Sequence, residues 1–313
     1  MKNKLKLRII YLIFLILITY FCFIILEIYL ANIPKKNLNE NTNYDTRSIS
    51  QLYSDNIKQG INISPSIPPS YSMAKLNDDF LYLSGISNIK TILCNESGEY
   101  AYFDSDKYGF NNKNKIYDSN KVDSVLLGDS FTLGACVNPK DNLASQISLI
   151  TKNKLLNLGY SGNGPLISMV TMFEYLEDVY FSKLIYVYFG GNDLWDLKNE
   201  LKNSKLKSYL KEEKVFQDIK KNNFEKDKNL KKLIESEFGN FQVNKSQQHF
   251  KDYLKLVKIR EISKKVLPKK QKHTACKHCE FMASTDDAEK KILINELDKI
   301  LEKMYEFAEK KNA

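Results

Sequence analysis

Val122-Asp123-Ser124-Val125-Leu126-Leu127-Gly128-Asp129-Ser130 is the stretch on which the fold is read. A short, mainly apolar run that stops at a glycine reads as a buried strand. Leu143, Ile147 and Ile150 follow at helical spacing, and Leu155, Leu156 and Leu158 make a second run that ends at Gly159. Pro165 suits the first position of a helix, and Leu166, Met169, Val170, Phe173 and Leu176 give that helix one apolar face. Leu184 to Phe189 is a third run, again followed by glycine. Strands apolar on both faces, alternating with amphipathic helices, predict βαβ units and a parallel sheet. The fold class is α/β.

Three loops follow the three runs. They are Gly128-Asp129-Ser130-Phe131-Thr132-Leu133-Gly134, Asn157-Leu158-Gly159-Tyr160-Ser161-Gly162-Asn163-Gly164, and Gly190-Gly191-Asn192-Asp193. Ser130 to Gly162 is 32 residues and Gly162 to Asn192 is 30, about one βαβ unit each. Right-handed crossovers return every strand in the same direction, so all three loops open at the carboxyl end of the sheet, where α/β proteins bind ligands. The residue types suit acyl transfer. A serine at a strand-to-helix turn exposes its hydroxyl, a glycine leaves a backbone N–H open to an oxyanion, and an Asn side chain adds a donor.

These loops resemble the SGNH (GDSL-type) hydrolase superfamily. Gly128-Asp129-Ser130 looks like its first block, Gly162 like the second-block glycine, and Gly190, Asn192 and Asp193 like the third-block Gly-x-Asn-Asp. The resemblance covers about residues 121–195. Asp106-Lys107-Tyr108-Gly109-Phe110-Asn111-Asn112 also looks like a turn that precedes the first block in some membrane-anchored relatives. The resemblance implies a flavodoxin-like, three-layer α/β/α domain. It further implies Ser130 as nucleophile, the Ser130 N–H, Gly162 N–H and Asn192 side chain as oxyanion hole, Asp129, Gly190 and Asp193 as supporting residues, and no cofactor.

The family's fourth block, Asp-x-x-His, does not occur in the chain. His249, His273 and His278 are the only histidines, and His249 reads as a solvated residue of a polar helical stretch. Leu293, Leu297, Ile300, Leu301, Met304 and Ala308 predict a final amphipathic helix, with Ser284 and Asp287 at capping-box spacing before it. That helix looks like the one before the family's last strand. The last strand and its Asp/His loop are therefore expected beyond Ala313. Cys276 and Cys279 with the two nearby histidines are the one metal-like cluster. Four ligands within seven residues are too cramped for a usual zinc site, so a disulfide or surface loop is expected there and no metal. Cys136 reads as a core or disulfide residue rather than a second nucleophile.

The N-terminus sets the location. Ile9 to Leu26 is an unbroken uncharged run preceded by Lys2, Lys4, Lys6 and Arg8. As a helix it rises about 27 Å, against a hydrocarbon core of about 30 Å. The expected organisation is a cytoplasmic basic stub (1–8), a signal anchor (9–31), a stalk (32–75) and a hydrolase-like domain (76–313), with 196–275 as a helical insert or lid. Outside Cys22 in the span, four cysteines permit two extracytoplasmic disulfides. The net charge of +9 is spread over Lys interleaved with Asp and Glu, the pattern of a solvated surface rather than of a nucleic-acid face. The leading reading is a membrane-anchored serine esterase or O-acyltransferase acting on an acyl ester outside the cytoplasm. Location suggests O-acylated cell-surface polysaccharide as substrate. The alternative is a non-catalytic module of the same fold that binds glycan or helps assemble a complex.

Overall fold

Short apolar runs flanked by turn residues become two small sheets, and the helices between them supply the covering layers. The computed structural model describes residues 2–32, 45–76, 80–211, 217–239, 253–266 and 286–313. The chain divides into two units, Met1–Asn43 with Gln242–Thr274, and Tyr44–Phe241 with Ala275–Ala313. In the first, α1 (Lys2–Asn32) contains a stretch, Lys6–Ala31, long and apolar enough to cross a membrane. In the second, the chain runs α2 (Ile49–Lys58), β1 (Ile63–Pro65), α3 (Pro69–Leu76), β2 (Lys90–Ile92), β3 (Tyr102–Asp104), β4 (Ser124–Gly128), α4 (Ser130–Leu133), α5 (Leu143–Thr151), β5 (Leu155–Asn157), α6 (Pro165–Leu176), β6 (Lys183–Val187), α7 (Asp193–Glu200), α8 (Ser204–Ser208) and α9 (Asn223–Ile234). Of the last two helices, α10 (Val257–Val266) belongs to the first unit and α11 (Asp287–Lys310) to the second.

The mixed α/β class is present. The strand order is β5-β4-β6, with all pairs parallel. The pleat of β4 sends Val125 and Leu127 to one face, where Leu156, Leu166, Val170, Phe173 and Met304 join them. It sends Leu126 to the other face, with Ala144, Ile147, Leu155, Ile185 and Val187. Helices α6 and α11 thus cover one face and α5 the other. Pro165 is the first residue of α6, which is buried along its whole length, and Phe307 of α11 packs edge-on against Phe173, centroids 5.4 Å apart. The face read for α5 is rotated. Ala144 and Ile147 meet the sheet, whereas Leu143 and Ile150 stay exposed, because β5 is a three-residue edge strand that offers little to pack on.

The expected stalk needs correction. Residues 45–76 are folded, with Ser48 and Gln51 forming a capping box at the start of α2. Leu52, Tyr53, Ile63 and Ile67 enter a second core with Ile92, Leu230, Leu233 and Ile234. Strands β1 and β2 pair in parallel, and β2 and β3 antiparallel. Within the expected insert over 196–275, the described residues up to 239 are likewise part of the domain's cores rather than outlying. Leu230, Leu233 and Ile234, at i, i+3 and i+4 of α9, form the partner surface of that core, and Leu206, Tyr209 and Ile219 enter the main one. The proposed capping residue Ser284, the three histidines, and Cys276 and Cys279 lie outside the described residues; α11 starts after Asp286.

Helix α9 also buries Lys226 completely. Its ammonium donates to the Tyr108 carbonyl (2.6 Å) and to Ser84 Oγ (3.0 Å), and lies 3.6 Å from the Asp227 carboxylate. Burial pushes Lys226 down to about 8, against the pull of Asp227 and Asp106. Between about 8 and the ordinary lysine value the unfolded chain holds a proton that the folded chain has lost. This residue therefore adds stability as pH rises through that window. Unfolding free energies of wild type and Lys226→Met, measured by denaturant titration from pH 7 to 10, should diverge in favour of wild type as pH rises. A constant difference would show that the amine does not titrate there.

Cys94 and Cys136 form a disulfide across 42 residues, as one of the expected bridges. Closing a loop of that length stabilises a fold by about 4 kcal/mol in the chain-entropy account. The double variant Cys94→Ser/Cys136→Ser should lose stability of that order in the same titration.

Candidate active site

Each site loop begins where a strand ends. Gly128 closes β4 at φ +145°, and a β-carbon there would sit 2.4 Å from Thr132 Oγ1 and 2.8 Å from the Val187 carbonyl oxygen. Only glycine fits, and the backbone turns sharply into α4. Asp129 caps that single helical turn, its Oδ1 accepting from the Phe131 N–H at 2.9 Å. Ser130 is its first residue and is half-buried, while Phe131 is exposed. The Cys94–Cys136 bridge anchors the chain six residues beyond Ser130.

The second loop is tied to the first by Asn157. Its Nδ2 donates to the Thr132 carbonyl (2.7 Å), its Oδ1 accepts from the Gly159 N–H (2.9 Å), and Tyr160 N–H reaches the Gly128 carbonyl (3.1 Å). Gly162 adopts φ +76°, and a β-carbon there would lie 3.1 Å from Pro68, so this loop faces the segment between β1 and α3. The third loop is tied to the second by Glu200. This buried carboxylate accepts from the N–H groups of Gly164 (2.6 Å), Leu166 (2.9 Å) and Ile167 (3.4 Å), satisfying the free donors at the start of α6. The third meets the first through the Phe131 and Phe189 rings, centroids 4.5 Å apart, and through the Asn192 side chain beside Asp129.

The three loops therefore converge at one end of the sheet. The chain crosses from β4 to β5 on one side and then back to β6 on the other. Ser130 and Asn192 consequently flank the point where the strand order reverses, the position at which open α/β sheets bind ligands. Asp193 is buried; its Oδ2 accepts from the Phe189 N–H (2.9 Å) and Tyr186 hydroxyl (3.1 Å). Asn192 gives its amide to Asp196 Oδ2 at 2.8 Å. Gly190 is exposed at the loop tip. Trp195 is 41% exposed on α7. No histidine falls among the described residues, so no partner that could take the Ser130 proton as imidazole is in view.

Sequence reading passed over Asn157, Asp196 and Glu200. Asn157 had a local signal, since an Asn two residues before a glycine can accept that residue's N–H. Glu200 had none, because its partners lie 33 to 36 residues away. Eight buried side-chain N or O atoms have no hydrogen-bond partner among the described residues. Seven of them belong to Asp129, Thr132, Asn163, Ser168, Asn192 and Asp193, in these loops and the helices they open. Buried polar groups are normally paired, and an unmet one costs about 1–3 kcal/mol. Among the described residues, no group of three or more His, Cys, Asp or Glu could hold a metal.

The acidic side chains share this environment. Burial, then the charge of Asp129, pushes Asp193 up to about 7 despite the Phe189 and Tyr186 donors. Burial, then the charges of Asp193 and Asp129, brings Asp196 to about 7. Burial takes Glu200 to about 8 even with its backbone donors. Burial also raises Asp129, with Phe131 and Asn192 opposing. No family model, curated protein or solved structure matches the chain.

Folded carboxyls with raised values keep protons that the unfolded chain has already lost from about pH 4 upward. Their contribution to stability therefore falls as pH rises from the ordinary carboxylate range to about 8. The denaturation midpoint should be lower at pH 8 than at pH 5.5, and Asp196→Asn should reduce that difference and stabilise the protein at pH 8. An unchanged pH dependence in the variant would contradict the assignment.

Proposed function

We propose that this edge is the nucleophile and oxyanion half of a serine ester-hydrolase or O-acyltransferase site of SGNH type, on a doubly wound α/β/α domain tethered outside the cytoplasm by α1. The concentration of unpartnered buried polar atoms around Ser130 carries this reading. The order β5-β4-β6 supports it, since it matches the start of a flavodoxin-like sheet with Ser130 and Asn192 at the reversal point.

In this mechanism Ser130 Oγ attacks the acyl carbonyl as its proton passes to a base, and the tetrahedral oxyanion is held by the N–H groups of Ser130 and Gly162 and by the Asn192 amide. The C–O bond to the alcohol breaks, the alcohol leaves with a proton, and the acyl group stays on Ser130. Water or a second hydroxyl then takes the acyl group, the former giving hydrolysis and the latter transfer. The Asn192 donor now engaged by Asp196 turns to the oxyanion more readily when Asp196 is protonated, at or below about pH 7. The acyl ester is the substrate class, and an O-acylated surface polysaccharide suits a domain held at the outer membrane face. The bond between Asn192 and Asp196 also favours a second reading, a non-catalytic glycan-binding or assembly module, because it occupies an oxyanion donor.

A fluorophosphonate probe applied to the membrane-embedded protein should label wild type and leave Ser130→Ala unlabelled. Equal labelling of wild type and Ser130→Ala would remove Ser130 as nucleophile. A folded wild type that never labels would favour the non-catalytic module.

A further inference from the structure

Glu27 is the one acidic residue inside the apolar run of α1, and it is 1% exposed. An ionisable side chain in such a segment is expensive unless it is paired, and it marks function. Its partners come from far along the chain. Lys258 N–H and Ile259 N–H both donate to its carboxylate, the latter at 2.8 Å, so Glu27 caps the first turn of α10. Just before α10, the Leu254 carbonyl accepts from the Tyr20 hydroxyl at 2.7 Å. Residues 254–259 are thus held along α1 at two points, Tyr20 and Glu27.

The depth of that attachment follows from α1. Glu27 is 19 residues beyond Arg8, the last cation before the apolar run. At helical rise this is about 28 Å, close to the thickness of the hydrocarbon core. With Arg8 at one boundary, Glu27 and the start of α10 stand at the other. The helix reads VKIREISKKV, with four Lys or Arg and one Glu in ten residues. Ile259 and Ile262 project within about 60° of each other, and Ile262 and Leu254 are about two-fifths exposed. A short basic helix with apolar residues left open suits the headgroup layer, where the cations meet lipid phosphates and the isoleucines enter the acyl boundary.

We infer that α10 is a second membrane contact, an interfacial helix seated where α1 leaves the bilayer and selective for anionic phospholipid. The inference rests on the reading that α1 spans the membrane. It goes beyond the anchor, because it gives residues 254–262 a lipid-binding role of their own.

The test uses the full chain reconstituted into vesicles of phosphatidylcholine alone or with added phosphatidylglycerol. An environment-sensitive fluorescent amino acid is placed at Leu17, within the span, or at Ile262. Lipid-borne quenchers should reach both probes, with position 262 shallow and more strongly quenched when phosphatidylglycerol is present. Lys258→Glu with Arg260→Glu should abolish that lipid dependence while the Leu17 signal stays unchanged. If the Leu17 probe escapes quenching, the spanning reading of α1 fails. If Leu17 is quenched and position 262 reports water in both vesicles, the interfacial helix is overturned. Equal quenching of position 262 in the two lipids would overturn the selectivity for anionic lipid.

Discussion

The buried carboxylate of Asp106 is the interaction from which the strand ends take their positions. It accepts from the N–H groups of Tyr108 (2.8 Å) and Phe110 (3.0 Å), from Asn112 Nδ2 (2.8 Å) and from the Tyr117 hydroxyl (2.8 Å). Burial still raises its pKa, so desolvation outweighs the donors around it. By closing this turn, Asp106 aims the neighbouring asparagines at the parallel sheet. Asn112 exchanges two bonds with the backbone of Asn157, and Asn111 donates to the Leu133 carbonyl at 2.9 Å. The turn at 106–112 therefore clamps the ends of both β5 and α4. It serves as a scaffold for the site without contributing chemistry to it.

A gradient of polar satisfaction runs outward from that clamp. Around Asp106, Asn157 and Glu200, nearly every buried donor and acceptor is matched, and such networks hold one geometry because any displacement strands a polar group. A few residues away, Asp129, Asn163, Asn192 and Asp193 keep unmatched atoms although they are equally enclosed or nearly so. A rigid frame that leaves unsatisfied groups at a topological reversal point is the arrangement expected of a site prepared for a polar ligand. The raised carboxyls of Asp193 and Asp196 belong to the same edge, since burial disfavours their charge just where three acidic side chains approach one another.

The other unit follows the same principle with one residue. Glu27 is tolerated in an apolar helix because two backbone N–H groups of α10 need an acceptor, and a helix start is where such donors are free. In both units, an acidic side chain on one element answers the open donors of another. Glu200 does this for α6 as Glu27 does for α10.

How much of this was legible depended on how far each signal reached along the chain. The parallel strands, α6 with its leading proline, α11 with its apolar seam, and the apolar span of α1 were readable from residues 9–31, 122–193 and 293–308, because each reports burial through a period of two or 3.6 residues. The three site loops were readable too, since strand ends and glycines are local. The folding of residues 45–76 was not, because Leu52, Ile63 and Ile67 are scattered and their partners Leu230, Leu233 and Ile234 come more than 160 residues later. Nor was the pairing of Cys94 with Cys136, one of several the cysteines allowed. The sequence by itself determined where apolar faces and sharp turns must lie, because those follow from backbone geometry and hydrophobicity over a few residues. Only the tertiary structure decided which carboxylate answers which helix start, and which polar atoms around Ser130 stay unmatched, because open N–H groups acquire neighbours only when distant elements meet.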